Sequence, residues 1–414
     1  MRAKLTNTWN SPNRWIILLA TTLVVIGIGV AIAFSIKFHR AATPQTPSAF
    51  YTPPEPLPQG EPGTLIRQEP LSSSLPEGAQ AWRVMYLSTD LQGDAIAVTG
   101  TVVAPSGPSA EPRNIIAWAH GTTGIRPECG VSHTRDPYQQ TPIIDRMLAE
   151  GFVVTITDYP GLGTPGTHPY MVGTVAAQTV LDSVRAARQI TEVSAGDDFV
   201  VWGASQGGNS SLWTAQLATD YAPELTLLGT ASSAPAIDLR SIAEFNLDKP
   251  AGGIFLGLVF AAWDTVYADA QLDAIIRPEE RENFDRIVEP CFTALAGFLR
   301  VKDSLRTPEQ YLSVDILNTE PWSTLFEENT PRAPIDVPIL IAHGTADPLI
   351  PIELSEAEAA RRCEAGEDVQ FARYPGSSHD ARDDTAVYIL GWVVDRFAGR
   401  PSASNCEGDS NSRY

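Results

Sequence analysis

The chain has 414 residues and a formal net charge of −20, with 43% hydrophobic and 19% charged residues. That balance supplies a sizeable core and excludes a structureless chain, while so acidic a surface repels nucleic acid and anionic lipid headgroups. The five basic residues among positions 1–40 stand without a single acid, so the remainder is more acidic still.

In chain order, the first feature is an uncharged run of 22 residues from Trp15 to Ile36, bracketed by Arg14 and Lys37 and long enough to span a bilayer. Basic residues Arg2, Lys4 and Arg14 favour the N-terminal end staying inside, which would place the rest of the chain outside. Ala31-Ile32-Ala33 offers a small-residue cleavage site, but the run exceeds the about 7–15 apolar residues of a signal peptide. The reading therefore favours an uncleaved membrane anchor, with a cleaved signal peptide as the alternative. Prolines at 44, 47, 53, 54, 56, 58, 62, 70 and 76 then suit an extended tether that later packs along the domain surface.

Ala81 to Val103 alternates as two antiparallel strands with a turn near Gln92-Gly93-Asp94. Strands near 114–119, 152–157, 199–203 and 225–231 alternate with helical stretches near 139–150, 174–190 and 206–218, which predicts an α/β fold with a mostly parallel sheet covered on both faces. Between Pro235 and Pro334 this rhythm stops. The stretch is too long for a structureless loop, and its helical patterning at Ala268–Ile276 and Glu279–Phe298 reads as an inserted cap. Gly252–Phe260 is strongly apolar, either as cap core or as an acyl-binding surface. The chain thus divides into an N-terminal segment (1–14), the membrane-length run (15–36), the tether (37–80), the first core part (81–234), the helical cap (235–334), the second core part (335–408) and a tail (409–414).

The chemistry is carried by loops at strand ends. Phe199–Trp202 is a short apolar strand running into Gly203-Ala204-Ser205-Gln206-Gly207-Gly208, and SSLWTAQL at 210–217 continues as a helix. Strand, G-x-S-x-G and helix in that order form a nucleophile elbow, which exposes a serine above the sheet. A serine hydroxyl needs a histidine base and a carboxylate that fixes its tautomer. Val337–Ala342 is an apolar strand whose following turn carries Asp347, and the strand Asp368–Tyr374 is followed by a turn that delivers His379. Upstream, the strand Asn114–Ala119 leads into His120-Gly121-Thr122-Thr123-Gly124, where the backbone N–H of Thr122, paired with that of Gln206, would form an oxyanion hole. His343 precedes Asp347 and reads as structural. His120 reads as an organiser of its loop, His133 and His168 as ordinary loop histidines, and Asp380, Asp383 and Asp384 as an acidic start to the last helix. None of the six histidines has a second histidine or cysteine at ligand spacing, so no metal or other cofactor is expected. Four cysteines in an exported domain predict two disulfides, with three connectivities open.

With WAHGTTG at 118–124, TDYPGLG at 157–163, GASQGG at 203–208, HGTADPLIP at 343–351 and GSSHD at 376–380, the chain resembles the secretory lipase family of α/β-hydrolases, the group of fungal lipase A and its bacterial relatives. The resemblance covers most of residues 50–408, beginning at the proline-rich Phe50-Tyr51-Thr52-Pro53-Pro54. It implies the α/β-hydrolase fold and hydrolysis of carboxylic esters by a Ser205-Asp347-His379 triad through an acyl-enzyme. It also implies the pairings Cys129–Cys291 and Cys363–Cys406. Ala204 stands where the fungal lipases have tyrosine, so substrate preference does not carry over. Two rivals remain: an exported aminopeptidase using Glu279, Glu280 or Glu282 to hold an α-amino group, and an inactive membrane-tethered binding module.

Overall fold

A computed structural model describes residues 49–71, 75–293, 295–379 and 382–406. The N-terminal segment, the membrane-length run 15–36, the tether up to 48, Asp380 and the tail from 407 lie outside the described residues. Among the described residues no helix is long and apolar enough to cross a membrane.

Nine strands form one sheet: β1 (Leu65–Leu71), β2 (Ala79–Thr89), β3 (Ala95–Pro105), β4 (Arg113–Ala119), β5 (Val153–Thr157), β6 (Ala195–Ala204), β7 (Thr226–Ser233), β8 (Ile339–Gly344) and β9 (Val369–Tyr374). Their spatial order is β1-β2-β3-β5-β4-β6-β7-β8-β9. Neighbours from β5 to β9 run parallel, and β1 to β3 are antiparallel additions at one edge. Every residue of β5 and β8 is buried, as strands covered on both faces require, and this is why VVTIT and ILIAHG read as continuous rather than alternating runs. The helices are α1 (Ile144–Ala149), α2 (Gly173–Ala187), α3 (Gln206–Tyr221), α4 (Leu239–Asn246), α5 (Pro250–Val266), α6 (Arg281–Val288), α7 (Leu295–Val301), α8 (Pro308–Tyr311), α9 (Trp322–Glu328), α10 (Ile352–Glu364) and α11 (Arg382–Phe397). Helices α4 to α9 fall between β7 and β8 and are built around aromatic contacts such as Trp263 stacked on Trp322 and Phe260 edge-on to the same ring.

The β2–β3 hairpin pairs in register from Ala79↔Pro105 to Thr89↔Ala95. Its turn is held by Asp90 Oδ1, which accepts from the N–H groups of Gln92 and Asp94. Leu65–Leu71 of the proline-rich stretch joins the sheet edge as β1, and an edge strand is where Pro70, a residue without an N–H, is tolerated. Two sequence expectations need revision. Ala268–Ile276 is not an α-helix but a loop with a single 3-10 turn at Leu272–Ala274, its backbone tied to Asp264. The helix expected over Glu279–Phe298 is broken into α6 and α7, since Pro290 cannot continue it and Cys291 is bonded to Cys129.

Both disulfides tie distant segments. Cys129–Cys291, 162 residues apart in sequence, fastens the loop after β4 to the helical insertion, and the Phe292 N–H adds a 2.8 Å bond to the Thr123 carbonyl. Cys363–Cys406 anchors the tail where Asn405 bonds both the N–H and the carbonyl of Phe371, so the exposed side of β9 is covered. Loop-closure entropy makes the longer crosslink worth up to about 5 kcal/mol. A Cys129→Ser, Cys291→Ser variant is expected to lose about 3–5 kcal/mol of stability in guanidinium unfolding. An unchanged midpoint would sink that estimate.

Candidate active site

The end of β6 and the start of α3 meet at Ser205, whose backbone sits at φ 55°, ψ −116°. Such a conformation costs about 1–3 kcal/mol and has to be enforced by its surroundings. Two glycines make the space for it. A Cβ on Gly203 would lie 1.9 Å from the Gly207 carbonyl oxygen, and one on Gly207 would lie 1.9 Å from the Ala119 carbonyl oxygen. The Ser205 N–H bonds the Ser233 carbonyl at 2.9 Å, and its own carbonyl accepts from Asn209 and Ala236, which pins the turn to the end of β7.

The loops after β8 and β9 are laced together. Thr345 N bonds the Tyr374 carbonyl, Ala346 N the Ser377 carbonyl, and Gly376 N the Thr345 hydroxyl. This brings Asp347 beside His379, with Nδ1 2.7 Å from Oδ2, while Nε2 of the same ring is 2.9 Å from Ser205 Oγ. A carboxylate can only accept, so Nδ1 carries the proton and Nε2 presents its lone pair to the serine hydroxyl. Asp347 Oδ1 accepts from the N–H groups of Leu349 and Ile350. Burial pushes the Asp347 carboxyl up in pKa, but hydrogen bonds from His343 and His379, the nearby His379 ring and the Ile350 amide outweigh it and hold the group well below the usual carboxylate range.

His343 therefore touches the acid directly: its Nε2 is 3.0 Å from Asp347 Oδ2 and 3.1 Å from the Ile350 carbonyl, and its Nδ1 meets the Ser355 hydroxyl at 2.8 Å. Both partners of Nε2 are acceptors, so that nitrogen carries the proton. Sequence reasoning identified the residue as structural but offered no sign of this contact. His120 donates from Nδ1 to the Gly121 carbonyl at 2.7 Å, and burial lowers its pKa. His133 packs on the Tyr51 ring with centroids 3.5 Å apart.

The loop holding Thr122 lies on the elbow, since a Cβ on Gly121 would fall 3.4 Å from the Ala204 carbonyl and 3.9 Å from Ser205 Cβ. Gln206 opens α3, where the first N–H groups have no partner within the helix. The side chains of these two residues make contacts the sequence did not announce: Gln206 Nε2 is 2.8 Å from His168 Nε2, and Thr122 Oγ1 is 2.7 Å from the Tyr170 hydroxyl. Ser205 and His379 line a cleft whose remaining walls are almost wholly apolar, among them Met171, Leu256, Val259 and Phe326. Leu256 and Val259 are also 5% and 6% exposed members of the core around α5, so the apolar run Gly252–Phe260 serves as packing and as cleft wall at once. Among the described residues, no group of three or more His, Cys, Asp or Glu side chains is placed to hold a metal ion.

The sequence model of the secretory lipase family matches residues 134–405. The chain belongs to the secretory lipase family. This chain is 26% identical to Lipase 10 of Candida albicans, over 88% of this chain and 84% of that one. It is equally 26% identical to a probable inactive lipase of Mycobacterium tuberculosis, over 88% of this chain and 85% of the relative. Its fold matches Candida antarctica lipase A in its closed state with a TM-score of 0.75 at 19% identity, covering 87% of this chain and 88% of that one, which shows the α/β-hydrolase fold. Family membership supports hydrolysis of ester or lipid substrates.

Proposed function

We propose that this secretory lipase is an exported serine hydrolase that cleaves carboxylic esters of lipids through an acyl-enzyme. The observation that carries the reading is the chain of hydrogen bonds from Ser205 through His379 to Asp347 at the floor of an apolar cleft. His379 Nε2 takes the Ser205 proton as Oγ attacks the ester carbonyl, and Asp347 stabilises the imidazolium that forms. The backbone N–H groups of Thr122 and Gln206 receive the oxyanion, a contribution of about 3–4 kcal/mol per donor. Collapse of the tetrahedral adduct returns the proton to the leaving alcohol, and water repeats the attack on the acyl-enzyme. Residues 235–334 act as the cap over the cleft. Residues 15–36 carry the chain out of the cytoplasm, where both disulfides are stable; the mass of the mature N terminus distinguishes an anchor from a cleaved signal.

The aminopeptidase alternative finds no support in the site. Glu280 pairs with Arg306 and Glu282 with Arg286 on the insertion, and among the described residues no carboxylate lines the cleft. The inactive-module alternative has one relative of that description and is decided by assay. Turnover of p-nitrophenyl esters from acetate to palmitate by the full chain tests the proposal, and the absence of hydrolysis across the series would support the inactive module. With Leu256 and Val259 on the acyl path, Leu256→Trp or Val259→Trp is expected to reduce palmitate turnover roughly tenfold or more while sparing acetate. An equal loss on both esters would assign the two residues to packing alone.

A further inference from the structure

Two residues of the segment His168-Pro169-Tyr170, His168 and Tyr170, touch the side chains of the two residues whose backbone N–H groups are assigned to the oxyanion. His168 Nδ1 faces the Pro160 carbonyl at 3.1 Å and must donate to it, which leaves Nε2 as an acceptor for the Gln206 amide. Burial, with the nearby His120 adding, pushes the His168 pKa down to about 3 against the opposing Pro160 bond, so the acceptor is kept through the neutral range. Two residues on, the Tyr170 hydroxyl meets Thr122 Oγ1 at 2.7 Å.

The segment is itself held from several sides. The His168 N–H bonds the Ile125 carbonyl, the ring stacks on Tyr159 with centroids 5.4 Å apart, and Gly161 approaches so closely that a Cβ there would sit 2.5 Å from His168 N. Trp263 of α5 donates to the Tyr170 carbonyl at 3.1 Å, so the helical insertion holds it too. Nothing in ester hydrolysis consumes these contacts, yet they converge on Thr122 and Gln206 from one rigid piece of chain.

We propose that His168 and Tyr170 form a brace that fixes the Thr122 and Gln206 donors relative to Ser205, making both of them positioning residues for the oxyanion. The proposal rests on the reading of Thr122 and Gln206 as the oxyanion donors. It predicts damage to transition-state binding rather than to substrate binding, since an oxyanion hole engages only once charge has developed.

The test uses the full chain and p-nitrophenyl butyrate. Tyr170→Phe, which removes one oxygen and leaves the ring packing intact, and His168→Ala are each expected to lower kcat about 10–100-fold with KM nearly unchanged. His168→Gln, which restores an acceptor, recovers most of the loss. Thr122→Val matches Tyr170→Phe, and the double variant falls no further than the worse single one, because both remove the same contact; Thr122→Ser recovers activity. An unchanged kcat in Tyr170→Phe and His168→Ala, additive losses in the double variant, or losses that track melting temperature alone would overturn the brace. Ester turnover that survives Ser205→Ala would instead remove the active-site reading beneath it.

Discussion

Ser205→Ala is expected to reduce ester hydrolysis by about 10⁵–10⁶ in kcat while leaving the fold intact. The size follows from the chemistry: without Oγ there is no covalent path, and His379, still bonded to Asp347, has no proton to take. Residual catalysis of about 10³–10⁴ over water can survive on the oxyanion donors and substrate binding. The substitution is mild structurally, since alanine keeps the Cβ and inherits the same φ of 55°, and among the described residues the side-chain bond lost is the one to His379. The measurement is p-nitrophenyl butyrate turnover beside a thermal melt. Near-normal turnover in a folded Ser205→Ala protein would place the nucleophile elsewhere.

Asp347→Asn is expected to cost about 10⁴ in kcat, from one atom exchanged. The Leu349 and Ile350 N–H groups hold an oxygen at the Oδ1 position, so the new NH₂ must take the place of Oδ2. There it faces two nitrogens that donate in the native protein, Nδ1 of His379 and Nε2 of His343. To avoid donor against donor, His379 shifts its proton to Nε2 and can no longer take one from Ser205. The pH dependence gives a second check. Because the folded Asp347 pKa is depressed, its contribution to stability is present above the unfolded value of about 3.9 and is lost as pH falls through the folded one. Asp347 therefore stays ionised in the folded protein between about pH 4 and pH 6, and acid unfolding of the variant should be shallower below about pH 4. If Asp347→Asn keeps more than about a tenth of native kcat, Asp347 is not the residue that fixes the His379 tautomer.

Much of the site was legible because each part is local. The elbow needs a strand, a G-x-S-x-G turn and a helix within about fifteen residues, and GASQGG supplies them with clashes that only glycine avoids. Asp347 and His379 each follow an apolar strand directly, and strands followed by turns are what a residue pattern reports. The β2–β3 hairpin was legible for the same reason: its alternation and its Gly93 turn lie within one short window.

What the sequence by itself determined was thus the order and chemistry of the parts: an alternating α/β chain, a serine, an acid and a base on successive loops, and an even cysteine count. Tertiary structure alone decided which side chains meet. Leu65–Leu71 became a strand because β2 offered it an open edge, against the local signal of Pro70. The helix expected across Glu279–Phe298 broke where a crosslink to Cys129 redirected it. His168 and Tyr170 reached Gln206 and Thr122 through contacts spanning 38 and 48 residues that leave no periodic trace. Periodicity encodes which face of an element is buried, whereas a hydrogen bond between loops depends on where the whole sheet places their ends.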